Sequence, residues 1–310
     1  MQQDQVVIRV PATTANLGPG FDCLGLALDL WNTVQMRVGS SPKVTISGEG
    51  AQELPTSADN LAYKAASHLF LQAGQNVPPL SICCHNRIPL KRGLGSSAAA
   101  IVGGLVAANL LCGSPFSTQQ LLKEAIHLEG HPDNVTAALM GGLQIVVTSE
   151  EGVHAASVPL PQDLMVIILV PQTPLGTEEA RAILPPTVSR EDAVYDIGRV
   201  AMLVNALSGG RIEDLRLATQ DRLHQPYREM LMPGMSGIFR AALDAGALGV
   251  FLSGSGPSII ALTRGKDMTV SYEMADAARR LGLPCDVKVT RPSLRGAYAV
   301  DIAEEGVGLP

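Results

Sequence analysis

The chain has 310 residues, of which 46% are hydrophobic and 17% charged, and a formal net charge of -6. That length and apolar content suffice for one large or two ordinary domains with real cores. The negative balance excludes a general nucleic-acid or anionic-membrane binder, so any anion must be held by local arrangement.

The opening MQQDQVVIRV lacks a basic region followed by an apolar core, so no signal peptide is expected. In chain order, strands are predicted at 6–10, 24–38, 44–47 and 80–88. Apolar spacing predicts a helix over 60–73 stopped by Gly74, and another over 97–112 stopped by Gly113. The apolar run 98–112 is interrupted by Gly103, Gly104 and Asn109; it reads as a buried helix too short to span a bilayer. A helix over 121–128 and a strand over 142–148 follow.

The proline-bracketed run PLPQDLMVIILVP opens a second half. Helices are expected near 177–184, 190–207, 211–219 and 235–245, then strands at 248–253 and 258–263. A helix at 268–282 and strands at 285–290 and 296–301 close the chain. Strands and helices segregate without regular alternation, which predicts an α+β chain of two lobes, residues 1–157 and 158–310. The five cysteines lack metal-type spacing, and adjacent Cys83 and Cys84 would point to opposite faces of a strand. Buried reduced thiols in a cytoplasmic protein are expected.

The stretch PLKRGLGSSAAA, residues 89–100, carries the first chemical signal. No G-x-x-x-x-G-K-[ST] string exists. Gly93-Leu94-Gly95-Ser96-Ser97-Ala98 does satisfy G-x-G-x-x-A. The dinucleotide fingerprint, however, needs a strand ending in an acid about twenty residues on, where this chain has the loop Gly113-Ser114-Pro115-Phe116-Ser117. What remains is a strand broken by Pro89, two glycines for a tight turn, and Ser96 and Ser97 at a helix start. Free N–H groups, the helix dipole and two hydroxyls make an anion site there. A simple helix cap by Ser96 or Ser97 is the alternative; the preceding Lys91-Arg92 pair favours phosphate.

Three more stretches concentrate polar groups. In VPATTANLGPGFDCLGLAL (10–28), Asn16, Gly18, Pro19, Gly20 and Asp22 form a turn-rich connection, in which Asp22 either fixes the turn or faces a cationic ligand group. HLEGHPDNVTAALMGG (127–142) crowds Glu129, His131, Asp133 and Asn134 between two helices. Asp133 is a candidate base or charge stabiliser, or else a helix N-cap; Glu129 is a candidate Mg²⁺ ligand. SGSGPS (253–258) is either a tight hairpin turn or a loop that approaches a ligand.

Pro11-Ala12-Thr13 through Asn16 to Asp22, then Gly93-Leu94-Gly95-Ser96-Ser97-Ala98, then Ser253-Gly254-Ser255-Gly256-Pro257 resemble the three motifs of the GHMP small-molecule kinases. EGHPDN, GTEEAR (176–181) and DRLHQPYR (221–228) are similar to the homoserine kinase branch of that family. The resemblance spans nearly the whole chain. It implies an N-terminal α/β lobe and a ferredoxin-like C-terminal lobe, with ATP and substrate meeting between them. It also implies transfer of the γ-phosphoryl of Mg-ATP to the side-chain hydroxyl of L-homoserine, for threonine synthesis, in an enzyme that is often a homodimer.

By the same resemblance, Asp22 would meet the substrate ammonium, while Arg181 and Arg228 would meet its carboxylate, which suits their planar fork. Thr177 and Arg181 are spaced i, i+4 and would share one helix face. Asn16, His131 and Asn134 match the remaining substrate contacts. The ATP segment comprises Pro89, Lys91, Arg92, Gly93, Leu94, Gly95, Ser96 and Ser97. Ser97 and Glu129 would hold Mg²⁺, with Glu124 as the rival of Glu129. Asn134 would orient the hydroxyl and Asp133 assist electrostatically or as a base. Lys91 stands where the broader pattern P-x-G-x-G-L-G-S-S has its first glycine, and its role is open. Relatives that phosphorylate mevalonate, shikimate or sugars act on substrates without an ammonium, which Asp22 and two arginines match poorly. A catalytically silent nucleotide binder would not need Ser97, Glu129 and Asp133 intact.

Overall fold

The architecture is built on one long hairpin. QVVIRVPATTAN forms β1 (Gln5–Asn16) and the next segment forms β2 (Gly20–Val38), paired antiparallel from Gln5↔Arg37 to Asn16↔Gly20. The register shifts between Pro11 and Ala12 and between Ala15 and Asn16, so the hairpin bends near its tip. A computed structural model describes residues 4–150 and 152–300 of the chain.

After the hairpin come β3 (Lys43–Gly48), α1 (Leu61–Gln72), β4 (Leu80–Asn86), α2 (Ser96–Leu111), α3 (Thr118–Glu129), α4 (Pro132–Met140), β5 (Leu143–Ser149) and β6 (Gly152–Val158). β2 pairs with β4 and β5, β4 runs parallel to β3, and β5 pairs with β6. The helix α2 is apolar all round and is buried in the core through Ile101, Val102 and Leu105, as a helix without a polar face must be. β4 stops at Asn86 because the next two N–H groups, of Arg87 and Ile88, donate to Asn32 Oδ1 at 2.8 and 3.0 Å instead of to a strand.

The second half contains β7 (Met165–Pro171), α5 (Thr177–Ala182), α6 (Arg190–Gly209), α7 (Leu215–Ala218), α8 (Gln225–Arg228), α9 (Met235–Asp244), β8 (Gly249–Leu252), β9 (Ile259–Thr263), α10 (Asp267–Arg280), β10 (Cys285–Thr290) and β11 (Tyr298–Ala299). β7, α9, β8, β9, α10 and β10 form a βαββαβ unit with antiparallel order β10-β7-β9-β8, the ferredoxin-like arrangement. β7 is buried on both faces. Val166, Ile168 and Val170 join the core shared with the first lobe, and Ile167 and Leu169 join a second core under α9 and α10. Two-sided burial explains an unbroken apolar run in place of alternation.

Several expectations need correction. The strand expected at 296–301 does not stay in the second lobe: Tyr298 and Ala299 pair with Arg9 and Ile8 of β1, covering that strand's open edge. Residue 301 lies outside the described residues. The single helix expected over 211–219 is a 3₁₀ turn, Ile212–Asp214, followed by α7. β6 and α8 were not foreseen; β6 is mostly exposed and α8 is a single turn containing Pro226. All five cysteines are free, but only Cys84 and Cys112 are buried, while Cys23, Cys83 and Cys285 are half-buried. Among the described residues no helix is long and apolar enough to cross a membrane.

Candidate active site

Between the lobes lies a cavity lined by the candidate catalytic, substrate, phosphate and metal residues named above except Pro89 and Glu124; Pro89 lines the adjoining cavity together with Lys91 and Arg92. One wall is the glycine loop. Gly95 is the N-cap of α2, with φ 69°, and no side chain caps the helix. Capping by Ser96 or Ser97 is therefore not what these serines do. The bond from Ala99 N–H to the Gly95 carbonyl, 2.9 Å, belongs to the first helical turn, so the preceding N–H groups of α2 have no partner within the helix.

Glycine is required in this loop by contact as well as by φ. A Cβ on Gly95 would lie 1.9 Å from Thr13 Oγ1, and one on Gly93 would lie 2.1 Å from the Ser253 carbonyl. The loop is moored from both lobes. Ser253 Oγ donates to the Gly93 carbonyl at 2.6 Å and Thr13 N–H donates to the Leu94 carbonyl at 3.1 Å. Arg92 spends its guanidinium on carbonyls of Leu90 (2.9 Å), Pro171 (2.6 Å) and Gln172. It acts as a clamp on the loop, and backbone N–H groups remain the phosphate donors on offer. Lys91 is exposed and takes φ 52°, the left-handed conformation that a glycine would adopt without strain.

The opposite wall is acidic. Gly130 (φ 83°) ends α3 and His131 is the N-cap of α4, with Pro132 at its first turn. Asp133 is thus inside the helix and not its cap. It is buried, and its Oδ1 accepts from Asn134 N–H at 2.7 Å and from Asn134 Nδ2 at 3.2 Å. Burial pushes its carboxyl up to about 6, against the stabilising bond from Asn134 N–H. Asn134 Oδ1 accepts from Thr13 Oγ1 at 2.7 Å, so the amide is locked from both ends.

Ser97 Oγ donates to the Glu129 carboxylate. Burial raises the Glu129 pKa and the Ser97 bond opposes that rise. Glu124, the rival, is engaged with His68 Nε2 at 2.6 Å and does not line the cavity. Among the described residues no cluster of three or more His, Cys, Asp or Glu could hold a metal. Ser97 and Glu129 are instead two hard oxygen donors beside an anion site. That set fits Mg²⁺, which takes one or two protein oxygens and completes its shell with water and phosphate.

The third side is cationic. Arg181 meets Asp22 in a bidentate pair, Nη1 to Oδ2 at 3.0 Å and Nη2 to Oδ1 at 2.5 Å, while its Nε is buried without a partner among the described residues. Arg228 is almost fully buried, donating through Nη1 to the Gly254 carbonyl at 2.8 Å and through Nε to the Ala180 carbonyl at 3.2 Å. Burial first, then Arg181, lowers its pKa to about 10. Asn16 bridges the lobes, its Nδ2 donating to the Gly254 carbonyl at 3.0 Å and its Oδ1 accepting from Asp22 N–H at 3.0 Å. Thr177 Oγ1 stands 3.4 Å from Ser255 Oγ. Burial, then Arg181, lowers the His131 pKa. Asn16, Asp22 and Lys91, three of the five non-glycine residues with positive φ among those described, line this cavity. Such strain, about 1–3 kcal/mol each, persists where the surroundings over-determine it.

Sequence reasoning missed three parts of the site. Thr13 and Ser253 lie in quoted motifs but show no distinctive signal as anchors of Asn134 and Gly93. Gly254 and Ser255, not picked out individually, line the cavity although their stretch is also the β8–β9 hairpin turn. Leu175 also lines it, and nothing in its local sequence marks it.

A helix N-terminus with a glycine cradle, facing an acid–hydroxyl pair and a mixed-charge wall, defines a small-molecule kinase. Residues 60–142 match the family model GHMP kinases N terminal domain and residues 203–282 match GHMP kinases C terminal. The chain is 46% identical over 294 residues to homoserine kinase of Moorella thermoacetica, covering 95% of this chain and 99% of that one. It is 44% identical over 296 residues to homoserine kinase of Desulfitobacterium hafniense, covering 95% and 100%. The crystal structure of homoserine kinase from Cytophaga hutchinsonii superposes with a TM-score of 0.87 at 32% identity, over 97% of this chain and 98% of the other. Mevalonate kinase of L. major, at 15% identity and TM-score 0.67, shares the fold over 94% and 96%. The chain belongs to the homoserine kinases of the GHMP kinase family.

Proposed function

We propose that the enzyme moves the γ-phosphoryl group of ATP to the side-chain hydroxyl of L-homoserine, giving O-phospho-L-homoserine and ADP. The observation that carries this is the wall of Asp22, Arg181 and Arg228 beside the N-terminus of α2. An amino acid presents one cation and one anion, and this wall presents the complement of both. Asp22 takes the ammonium; Arg181 and Arg228 take the carboxylate; Asn16, His131 and Thr177 complete the contacts. With Asp22 and Arg181 paired to each other, a zwitterion can replace each partner with its own opposite charge, so binding adds no net charge to the site.

The N–H groups of residues 93–97 hold the phosphates, and Lys91 adds a charge at the mouth. Ser97 and Glu129 hold Mg²⁺, which supplies charge neutralisation on the phosphate oxygens. Asn134, locked by Thr13 and Asp133, orients the hydroxyl. A bond forms between that oxygen and the γ-phosphorus, the bond to the β–γ bridging oxygen breaks, and the proton passes to Asp133 or to water. A strong base is not needed, because phosphoryl transfer rests on positioning and charge stabilisation. The cytoplasm, where free thiols persist, is the proposed compartment, and a homodimer the proposed assembly.

ADP release measured with homoserine, mevalonate, shikimate and galactose tests the substrate. Turnover of homoserine alone is expected. Turnover of mevalonate or a sugar in its place, or of none of the four, would overturn the proposal.

A further inference from the structure

His224 is fully buried, carries none of the roles above, and touches three parts of the site at once. Its Nε2 lies 2.8 Å from the Gly18 carbonyl and its Nδ1 lies 2.9 Å from Arg228 Nη1. A carbonyl only accepts, so Nε2 carries the proton; a guanidinium only donates, so Nδ1 presents its lone pair. The other tautomer, or the imidazolium, would set N–H against N–H. Burial pushes the imidazole down to about 4, against the pull of Asp221, whose Oδ2 is 3.5 Å from Nε2. Asp221 in turn accepts from the N–H groups of Leu223 and Gln225 at 2.7 and 2.6 Å and fixes the turn that presents His224.

The Gly18 carbonyl is itself well placed. Gly18 has φ 87°, and a Cβ there would lie 2.2 Å from the Thr219 carbonyl, so the β1–β2 tip is pressed onto the second lobe. Phe21 of the same tip packs against the His224 ring in a tilted arrangement, centroids 5.2 Å apart, with the Arg181 and Arg228 guanidinium carbons 5.4 and 5.6 Å from its own centroid. Every acceptor of Arg228, namely His224, Gly254 and Ala180, is neutral, and no protein acceptor meets Nη2 among the described residues. An acidic residue at 224 would orient the guanidinium equally well but cancel its charge. A neutral imidazole orients it and leaves the charge for the ligand.

We propose that His224 is a positioning residue for substrate recognition: a neutral acceptor that aims Arg228 at the amino-acid carboxylate and couples it to the first-motif loop. This rests on the homoserine reading above.

The test compares wild type, His224→Leu and His224→Gln on homoserine and on homoserine carboxamide, in which the carboxylate is replaced by a neutral amide. Glutamine can donate to Gly18 and accept from Arg228; leucine can do neither. Losing one charge-assisted bond predicts a KM for homoserine raised about 10- to 100-fold in His224→Leu, with KM for ATP changed by less than about twofold. The preference for homoserine over the carboxamide should shrink by the same factor, and His224→Gln should restore most of it. Equal loss on both substrates, or a glutamine variant no better than leucine, overturns the role. Imidazole ¹⁵N NMR on the wild type is independent of variant folding: the Nε2–H tautomer is expected from about pH 5.5 to about pH 8.5, and an Nδ1–H tautomer or titration near the ordinary histidine value sinks the proposal. A wild type that accepts homoserine and its carboxamide equally would instead refute the carboxylate role of Arg228. No homoserine turnover would refute the substrate itself.

Discussion

Asp22, on β2 of the first lobe, and Arg181, on α5 of the second, close on each other through two hydrogen bonds of 2.5 and 3.0 Å. The pair is about one-third exposed, so its own contribution to stability is small. Its value is that two opposite charges stand ready for a zwitterion. Asp22→Asn removes the anion that meets the ammonium and frees Arg181. We expect kcat/KM for homoserine to fall about 10²-fold or more, with little change in KM for ATP. Steady-state kinetics with each substrate varied in turn measure this; a comparable loss on both substrates would refute it.

Glu129→Gln keeps the shape of the Ser97 contact but removes the carboxylate charge. The Mg²⁺ concentration for half-maximal activity should rise roughly tenfold or more. Glu124→Gln, which alters a contact to His68, should leave that concentration unchanged. Titration of activity against Mg²⁺ decides between the two glutamates.

Asp133 couples pH to stability. Its folded pKa, about 6, lies above the unfolded value of 3.8, so the native state binds the proton more tightly. Its proton-linked stabilisation is fully present below pH 3.8 and is lost as pH rises through about 6. Above that, the protein carries a buried charge, and Asp133→Asn should stabilise it by about 1–3 kcal/mol. Thermal melts at pH 5 and pH 8 should show a gain at both, about twice as large at pH 8, while kcat falls. If the ionised carboxylate assists transfer, wild-type kcat should drop as pH falls through about 6. A variant with full activity would remove Asp133 from the reaction.

Lys91 is the one departure from the glycine pattern of the loop, and its backbone keeps the glycine conformation at φ 52°. Lys91→Gly relieves that strain and adds unfolded-state entropy, so stability should change by less than about 1 kcal/mol. A several-fold rise in KM for ATP would identify the ammonium as a nucleotide contact. Lys91→Val, β-branched at positive φ, should cost about 1–2 kcal/mol by denaturant melts.

The motifs were legible because their residue types are demanded by close contact. Gly95 cannot carry a Cβ against Thr13, and Asp22, Arg181 and Arg228 are the complement of an amino acid. The buried strand β7 was legible as an apolar run between prolines. What could not be read was long-range pairing. Tyr298 and Ala299 look like any short strand, and only the open edge of β1 decides where they go. Asp133 looked like a cap, but the true N-cap is His131, two residues earlier, and the helix begins at Pro132. His224 sits in a quoted stretch, but its partner, the Gly18 carbonyl, is 206 residues away and has no side-chain signature.

The return of β11 to the first sheet has a mechanical consequence. The second lobe is spliced into the first through two strands of chain, 159–164 on the way out and 291–297 on the way back. The returning strand is stitched down where Ser293 N–H meets the Ala27 carbonyl, Gly142 N–H meets that of Ser293, and Ala297 N–H meets that of Ala138. Held by these two crossings and by the core that β7 shares with the first lobe, Arg181 stays opposite Asp22 without relying on the ion pair itself, and removing the chain after residue 290 would bare the edge of β1.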